Sequence, residues 1–157
     1  MSLKLTTLTV LVTTGLSTLM GAAVAQEFQL NYASPYSPTH PYGAADAEWI
    51  ERINEQTDGR VVITPFWGGS LITSREGVDE LAAGVSDIAY IAPIYARSGY
   101  DLNRLTPQLF YGYADAQDVL RVYMGLWEEY PQYAEELEGV KVLGFNVGTP
   151  MHLMLRE

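Results

Sequence analysis

The stretch Ala44 to Ala92, AADAEWIERINEQTDGRVVITPFWGGSLITSREGVDELAAGVSDIAYIA, decides the fold. It reads as helix, glycine turn, strand, Gly-Gly turn, capped helix, glycine and strand. Ala45, Trp49 and Ile53 recur at i, i+4 and i+8, the apolar stripe of an amphipathic helix. Asp46 and Glu48 are expected in the first turn of that helix, where the dipole favours anions. Thr57-Asp58-Gly59 ends it, because Gly59 suits the left-handed position past a helix. Val61-Val62-Ile63 is a short β-branched strand. Thr73-Ser74-Arg75-Glu76 has the capping-box pattern, with Val78, Leu81, Ala82 and Val85 predicted on one face after it. Gly84 closes the second helix, and Ile88 to Ala92 is another apolar strand. Alternating strands and helices predict an α/β fold with a mainly parallel sheet, whose ligand crevices lie beyond the carboxyl ends of the strands. Those ends fall at Phe66-Trp67-Gly68-Gly69 and at Tyr90 to Tyr95, both aromatic.

Upstream, Phe28 to Tyr32 alternates as a first strand, and Ser34 to Tyr42 holds three prolines, so it is a loop or a helix lead-in with His40 inside it. Downstream, Pro93 to Phe110 reads as a long irregular piece. Asp115 is the expected N-cap of a helix with Val119, Val122, Tyr123 and Leu126 inward. Pro131 opens a shorter glutamate-rich helix closed by Gly139. Val140 to Phe145 reads as a strand, Asn146 to Pro150 as a turn, and Met151 to Leu155 as the start of one more strand. A strand start followed at once by the last residue, Glu157, leads us to expect a piece of a longer fold.

The first residues form an expected targeting leader. Lys4 is the lone charge before Glu27, an apolar run spans Leu8 to Met20, and Ala23-Val24-Ala25 is a small-x-small signal that predicts cleavage after Ala25 and export. That run is short and rich in Thr and Ser, so stable membrane insertion of the mature chain is not expected. The whole chain carries a net charge of −10 over 157 residues, and losing the leader removes one lysine and no acid. Such a balance disfavours nucleic acid and anionic membrane surfaces, which reward clustered Lys and Arg. There is no cysteine, so neither disulfides nor thiolate metal sites hold the fold.

Catalytic patterns are absent from the sequence. Gly68-Gly69-Ser70-Leu71-Ile72 lacks the closing glycine of a nucleophile elbow, and no dinucleotide or phosphate-binding glycine loop occurs. His40 and His152 are the two histidines, neither with a second ligand at a useful spacing, so no metal and no cofactor are expected. The acidic runs Glu128-Glu129, Glu135-Glu136-Glu138, Asp79-Glu80 and Asp115 to Asp118 read as solvated faces. The aromatics stand out. Trp49 and Trp127 fit helix stripes and read as core. Trp67, Tyr95 and Tyr100 lie beyond strand ends and Tyr36 lies in the proline loop, where several rings on one edge make a pocket wall.

In order and spacing these segments resemble the N-terminal half of the DctP-like solute-binding proteins of tripartite ATP-independent periplasmic (TRAP) transporters. The resemblance rests on Leu30 to Ala33, the helix Ala45 to Gln56, and Thr57 to Ile63. It continues through Gly68 to Leu71, Glu76 to Leu81, Gly84 with Asp87-Ile88-Ala89, Pro107 with Ala116, Val119 and Leu120, and Val140 to Gly144. It implies a periplasmic binding protein-like fold, here one incomplete two-lobe fold: residues 1–25 as signal peptide and 26–157 as the N-terminal part of the binding domain. It further implies a periplasmic protein that performs no chemistry, captures a small-molecule carboxylate and delivers it to the TRAP membrane permease subunits. The candidate ligand contacts are Tyr36, Trp67, Tyr90, Tyr95 and Asn146. The arginine by which such proteins grip the carboxylate is expected beyond Glu157. Pro150 stands where many members carry a second arginine, and Ala92 and Tyr95 stand where acid-binding members can carry charged contacts. These departures tilt the expected ligand toward an apolar or aromatic-bearing carboxylate. Three other readings fit the same residues: an exported α/β hydrolase-like enzyme with its active residues in missing sequence, a periplasmic sensor or adhesion module, and a gene fragment without a function of its own.

Overall fold

Phe28 to Ala33 forms the central strand, β1, of a parallel sheet in a computed structural model that describes residues 27–105 and 112–148. Exposure falls along it: Phe28 is 56% exposed, whereas Tyr32 and Ala33 are buried. The carboxyl end is therefore the end in the core. β2, Val61–Phe66, pairs with β1 along its whole length, from Phe28 opposite Val61 to Ala33 opposite Phe66. Pro65 is tolerated there because β2 is an edge strand among the described residues, and an edge position needs no second ladder donor. β3, Ile88–Ala89, lies on the other side of β1, giving the order β2-β1-β3. It is shorter than the predicted Ile88 to Ala92. Tyr90 N donates to Ala33 O at 2.8 Å, after which Pro93, which has no N–H, starts a turn of 3₁₀ helix at Pro93–Tyr95.

The first helix, α1, runs Pro41–Gln56 and so begins a turn before the predicted Ala45. The proline loop supplies its start: His40 Nδ1 accepts from Tyr42 N at 3.2 Å and Pro41 occupies the first helical position. Asp46 and Glu48 are consequently not in the first turn, and the dipole gives them no role. The predicted inward stripe also shifts. Ala45 is exposed and Trp49 lies at the edge, while Gly43, Asp46, Ile50 and Ile53 turn inward. Gly43 causes this, since a Cβ there would sit 2.1 Å from Ser37 O; the helix presses its glycine onto the loop backbone. The end is as predicted: Asp58 and Gly59 both take positive φ, 51° and 75°.

α2 spans Gly77–Ala82. The capping box at Thr73 does not cap it: the N-cap is Glu76, without a side-chain cap bond, and Glu76 N donates to Thr73 Oγ1 at 3.3 Å only in the turn before the helix. Thr73 N in turn donates to Glu80 Oε2 at 2.7 Å. Val78 is buried and Leu81 partly so, but Ala82 and Val85 are exposed: the helix is too short to carry the predicted stripe.

Within the piece expected to be irregular, Asp101–Leu105 forms α3. Its start is held from far along the chain, where Glu136 accepts from Leu102 N at 2.9 Å and Asn103 N at 3.0 Å. Glu136 is thus not part of a merely solvated face. Asp79 and Glu80 are corrected likewise, Asp79 by the hydroxyl of Tyr100 at 2.9 Å and Glu80 by Thr73. α4, Ala116–Glu129, starts at Asp115 as predicted, with Asp115 Oδ1 accepting from Gln117 N and Asp118 N at 2.8 and 3.0 Å. Val119 and Tyr123 are buried, but Val122 is exposed at the far edge of the stripe. α5 is Gln132–Glu135, behind Pro131. Val140 to Phe145 is not a strand; no strand among the described residues pairs with it, and Leu143 is 64% exposed. The predicted strand Met151 to Leu155 and His152 lie outside the described residues, as do the leader and Thr149-Pro150. No helix among the described residues is long and apolar enough to cross a membrane.

Candidate functional site

The three strand ends converge on one edge. Ser34 follows β1, Trp67 follows β2 and Tyr90 follows β3. Backbone bonds tie the loops together there: Gly68 N donates to Tyr36 O and Gly69 N to Ser34 O, each at 3.0 Å. Gly68 and Gly69 both hold positive φ, 68° and 72°, so the turn after β2 depends on residues without a Cβ.

Rings gather along this edge in two groups. Tyr36 lies edge-on to Tyr90 at 5.1 Å and to Tyr42 at 5.3 Å, and it stacks on His40 at 4.5 Å. Tyr42 and Tyr90 lie near-parallel at 5.9 Å. Tyr95 ends the 3₁₀ turn that follows β3, and it is 54% exposed. Trp67 turns instead to Tyr32 at 6.0 Å, which also meets Trp49 at 6.0 Å. The structure therefore brings Tyr36 and Tyr90 together, with Tyr42 and His40, and sets Trp67 in a neighbouring group on the same edge. Tyr100 is elsewhere. It lines an open groove of about 440 Å³ beside α2, together with Arg75, Glu76, Asp79 and Arg97.

The segment carrying Asn146 returns to this edge. Phe145 packs against Tyr123 at 5.4 Å and Trp127 at 5.1 Å, and Gly148 lies so near Tyr42 that a Cβ on it would be 3.0 Å from the hydroxyl oxygen. Asn146 lies between these two residues in the chain and is exposed.

One acid belongs to the site and was read in the sequence as a helix-dipole residue. Asp46 projects from α1 to the end of β1, where Ser34 Oγ donates to its Oδ2 at 3.4 Å and Tyr32 donates its hydroxyl to it. Burial, against these two hydrogen bonds, raises the Asp46 carboxyl above its ordinary range. Tyr32 is pushed far above the usual tyrosine range, first by burial and then by the bond to Asp46. Burial raises Tyr90 well above that range as well, with neighbouring Tyr36, Tyr42 and Asp46 adding to it, and it raises Tyr36. The edge is thus a wall of neutral phenols with one carboxylate behind them. The signal for Asp46 was present in the proline loop: once His40-Pro41 starts the helix, position 46 faces the sheet.

A second polar centre, also missed, stabilises the helical part. Asn103, 2% exposed, accepts from Tyr123 Oη at 2.6 Å and Trp127 Nε1 at 3.0 Å, and donates to Tyr133 O and Glu136 Oε2 at 2.9 Å each. It has no local sequence pattern, since its partners lie 20 to 33 residues away.

Among the described residues, no group of three or more His, Asp or Glu side chains comes together as metal ligands. A TRAP periplasmic solute binding protein from Bordetella bronchiseptica, solved with bound (R)-mandelate and (S)-mandelate, is similar at a TM-score of 0.63 and 25% identity, over 74% of this chain and 36% of that one. One from Desulfovibrio salexigens, solved as an open complex, is similar at a TM-score of 0.59 and 17% identity, over 67% of this chain and 33% of that one. The chain spans about a third of the length of these solved structures. Both of these structures are described as TRAP periplasmic solute binding proteins. Residues 32–153 match the DctP family, and the chain belongs to these bacterial extracellular solute-binding proteins, family 7.

Proposed function

We propose that the protein is the periplasmic solute-binding component of a TRAP transporter, which captures an organic acid and delivers it to the membrane permease. The observation that carries the ligand side is the ring wall at the sheet's carboxyl edge, with Tyr36 and Tyr90 5.1 Å apart and Tyr95 exposed on the turn after β3. Parallel sheets bind ligands at that edge, and ligand sites are aromatic-lined with few polar groups. Tyr36, Tyr90, Tyr95 and Asn146 form one wall, with Trp67 at its rim. The mandelate-bound relative supports a ring-bearing carboxylate as ligand. Closure of a second lobe over the wall buries the ligand around hinge segments. Residues 1–25 act as the export leader, removed after Ala25, and 26–157 as the N-terminal part of the binding domain.

The test is a thermal-shift screen of the whole protein against mandelate, phenylacetate, succinate, free sugars and carboxylic esters. A rise in Tm with a carboxylate and no turnover of any ester is expected. Ester turnover, or a response to sugars alone, contradicts the reading.

A further inference from the structure

We propose that His40 is a positioning residue of the ligand wall. Its neutral imidazole holds Tyr36 in place and its protonation loosens Tyr36, so affinity for the ligand falls in mild acid. This rests on the reading of the strand-end edge as the ligand wall.

The imidazole has two tasks at once. Its Nδ1 accepts from Tyr42 N at 3.2 Å as the N-cap of α1, and its face stacks on Tyr36 at 4.5 Å with the planes 17° apart. The backbone around it is fixed, since His40 N donates to Ser37 O at 3.0 Å and Ala44 N donates to His40 O at 2.9 Å. With the backbone held, the cap bond sets how the ring lies. The ring in turn backs Tyr36, which meets Tyr90 edge-on at 5.1 Å.

A ring nitrogen that accepts from a backbone N–H carries its lone pair, so the proton of the neutral ring is on Nε2. A second proton takes that lone pair. It sets donor against donor at Tyr42 N and places a cation at the positive end of the α1 dipole. Attraction of that cation to the Tyr36 face offsets only part of the loss, because both rings are partly exposed. The groups facing the imidazole are the phenols Tyr36 and Tyr42, with Tyr90 behind them. Loop residues 34–42 contain no Lys, Arg, Asp or Glu, and Asp46, the first acid on α1, is bonded to Ser34. Among the described residues no carboxylate is paired with the imidazole to hold its proton. Imidazole is the side chain that changes charge between about pH 8 and pH 5, a range in which a ligand carboxylate stays ionised. The change therefore falls on the wall and not on the ligand.

The test titrates mandelate by calorimetry into the whole protein, its His40→Asn variant and its His40→Ser variant, at a temperature well below every Tm. Each is measured at about pH 7.5 and about pH 5.5, on either side of the imidazole range. Asn and Ser cap a helix without titrating there. The natural protein is expected to bind about fivefold more weakly in acid, the scale of one lost cap, and both variants to change by less than about twofold. Affinity of the natural protein that is unchanged or higher in acid overturns the proposal. So does an equal fall in the folded variants. A cap that is merely structural lowers the Tm in acid and leaves the affinity of the folded protein as it was, which also overturns it. If neither mandelate nor phenylacetate binds any of the three proteins at either pH, the ligand-wall reading itself falls and this proposal with it, an outcome distinct from binding without pH dependence.

Discussion

The hydroxyl of Tyr123 donates to Oδ1 of Asn103 across 2.6 Å in the interior, where Asn103 is 2% exposed. Trp127, Tyr133 and Glu136 complete its four bonds. Asn103 therefore joins α3, α4 and α5 in one polar knot. Asn103→Leu keeps the branched shape but leaves a buried phenol and an indole N–H without acceptors. Each such loss costs about 1–3 kcal/mol, so a total of about 3 kcal/mol is expected in urea unfolding. A loss below about 1 kcal/mol would show that the knot opens to water.

Two glycines in helices should respond in opposite directions. At Gly43 a Cβ would lie 2.1 Å from Ser37 O, so Gly43→Ala must push α1 off the proline loop. A destabilisation of about 2 kcal/mol or more is expected. At Gly125 in α4 a Cβ meets nothing within 4 Å, and Gly125→Ala should stabilise by about 0.5–1 kcal/mol through helix propensity. Paired thermal melts check both. Equal effects would place α1 wrongly against the loop.

These cases show what the chain made legible. Periodicity and glycine turns located β1, α1, β2 and α4, because each is specified by its own residues and caps, as at Asp115 and at Asp58-Gly59. The proline loop hid the start of α1, since His40 is an uncommon cap and the dipole reading of Asp46 depended on that start. α3 was invisible because Glu136 caps it from 33 residues away. Val140 to Phe145 has strand composition but no ladder partner among the described residues, and composition alone does not supply one. At the site, the rings could be placed at strand ends from sequence. The side to which Trp67 turns depends on tertiary contacts with Tyr32.

Stability should fall in alkali. Burial raises Tyr32 and Tyr90 above the ordinary 10.0, so the folded state keeps protons that the unfolded chain releases. Above pH 10.0 the unfolded state thus binds fewer protons, and stability declines as pH rises. The limiting slope is about 1.4 kcal/mol per pH unit for each fully shielded tyrosine, reduced here by partial solvent screening. Tyr32→Phe should flatten the decline between about pH 10 and 11. An unchanged slope in that variant contradicts the burial of the Tyr32 phenol.

Asp46 should cost stability at neutral pH. Its carboxyl is raised above the ordinary 3.8, so the contribution is fully present below that pH and is lost as pH rises through the folded value. Asp46→Asn keeps an acceptor for Ser34 and Tyr32 without the charge. It should raise stability at pH 7 by less than about 1 kcal/mol after solvent screening, and the gain should vanish near pH 3. A variant less stable than the natural protein at pH 7 contradicts this.

The most direct test of the ring wall is isothermal titration of a ring-bearing monocarboxylate, mandelate, into the whole protein and its Tyr95→Ala variant. Tyr95 is 54% exposed, so its truncation should leave the ligand-free Tm within a degree or two. Affinity should fall about tenfold, the equivalent of about 1.4 kcal/mol of lost ring contact. Unchanged affinity in a variant with an unchanged Tm would place the ligand away from this edge and contradict the account.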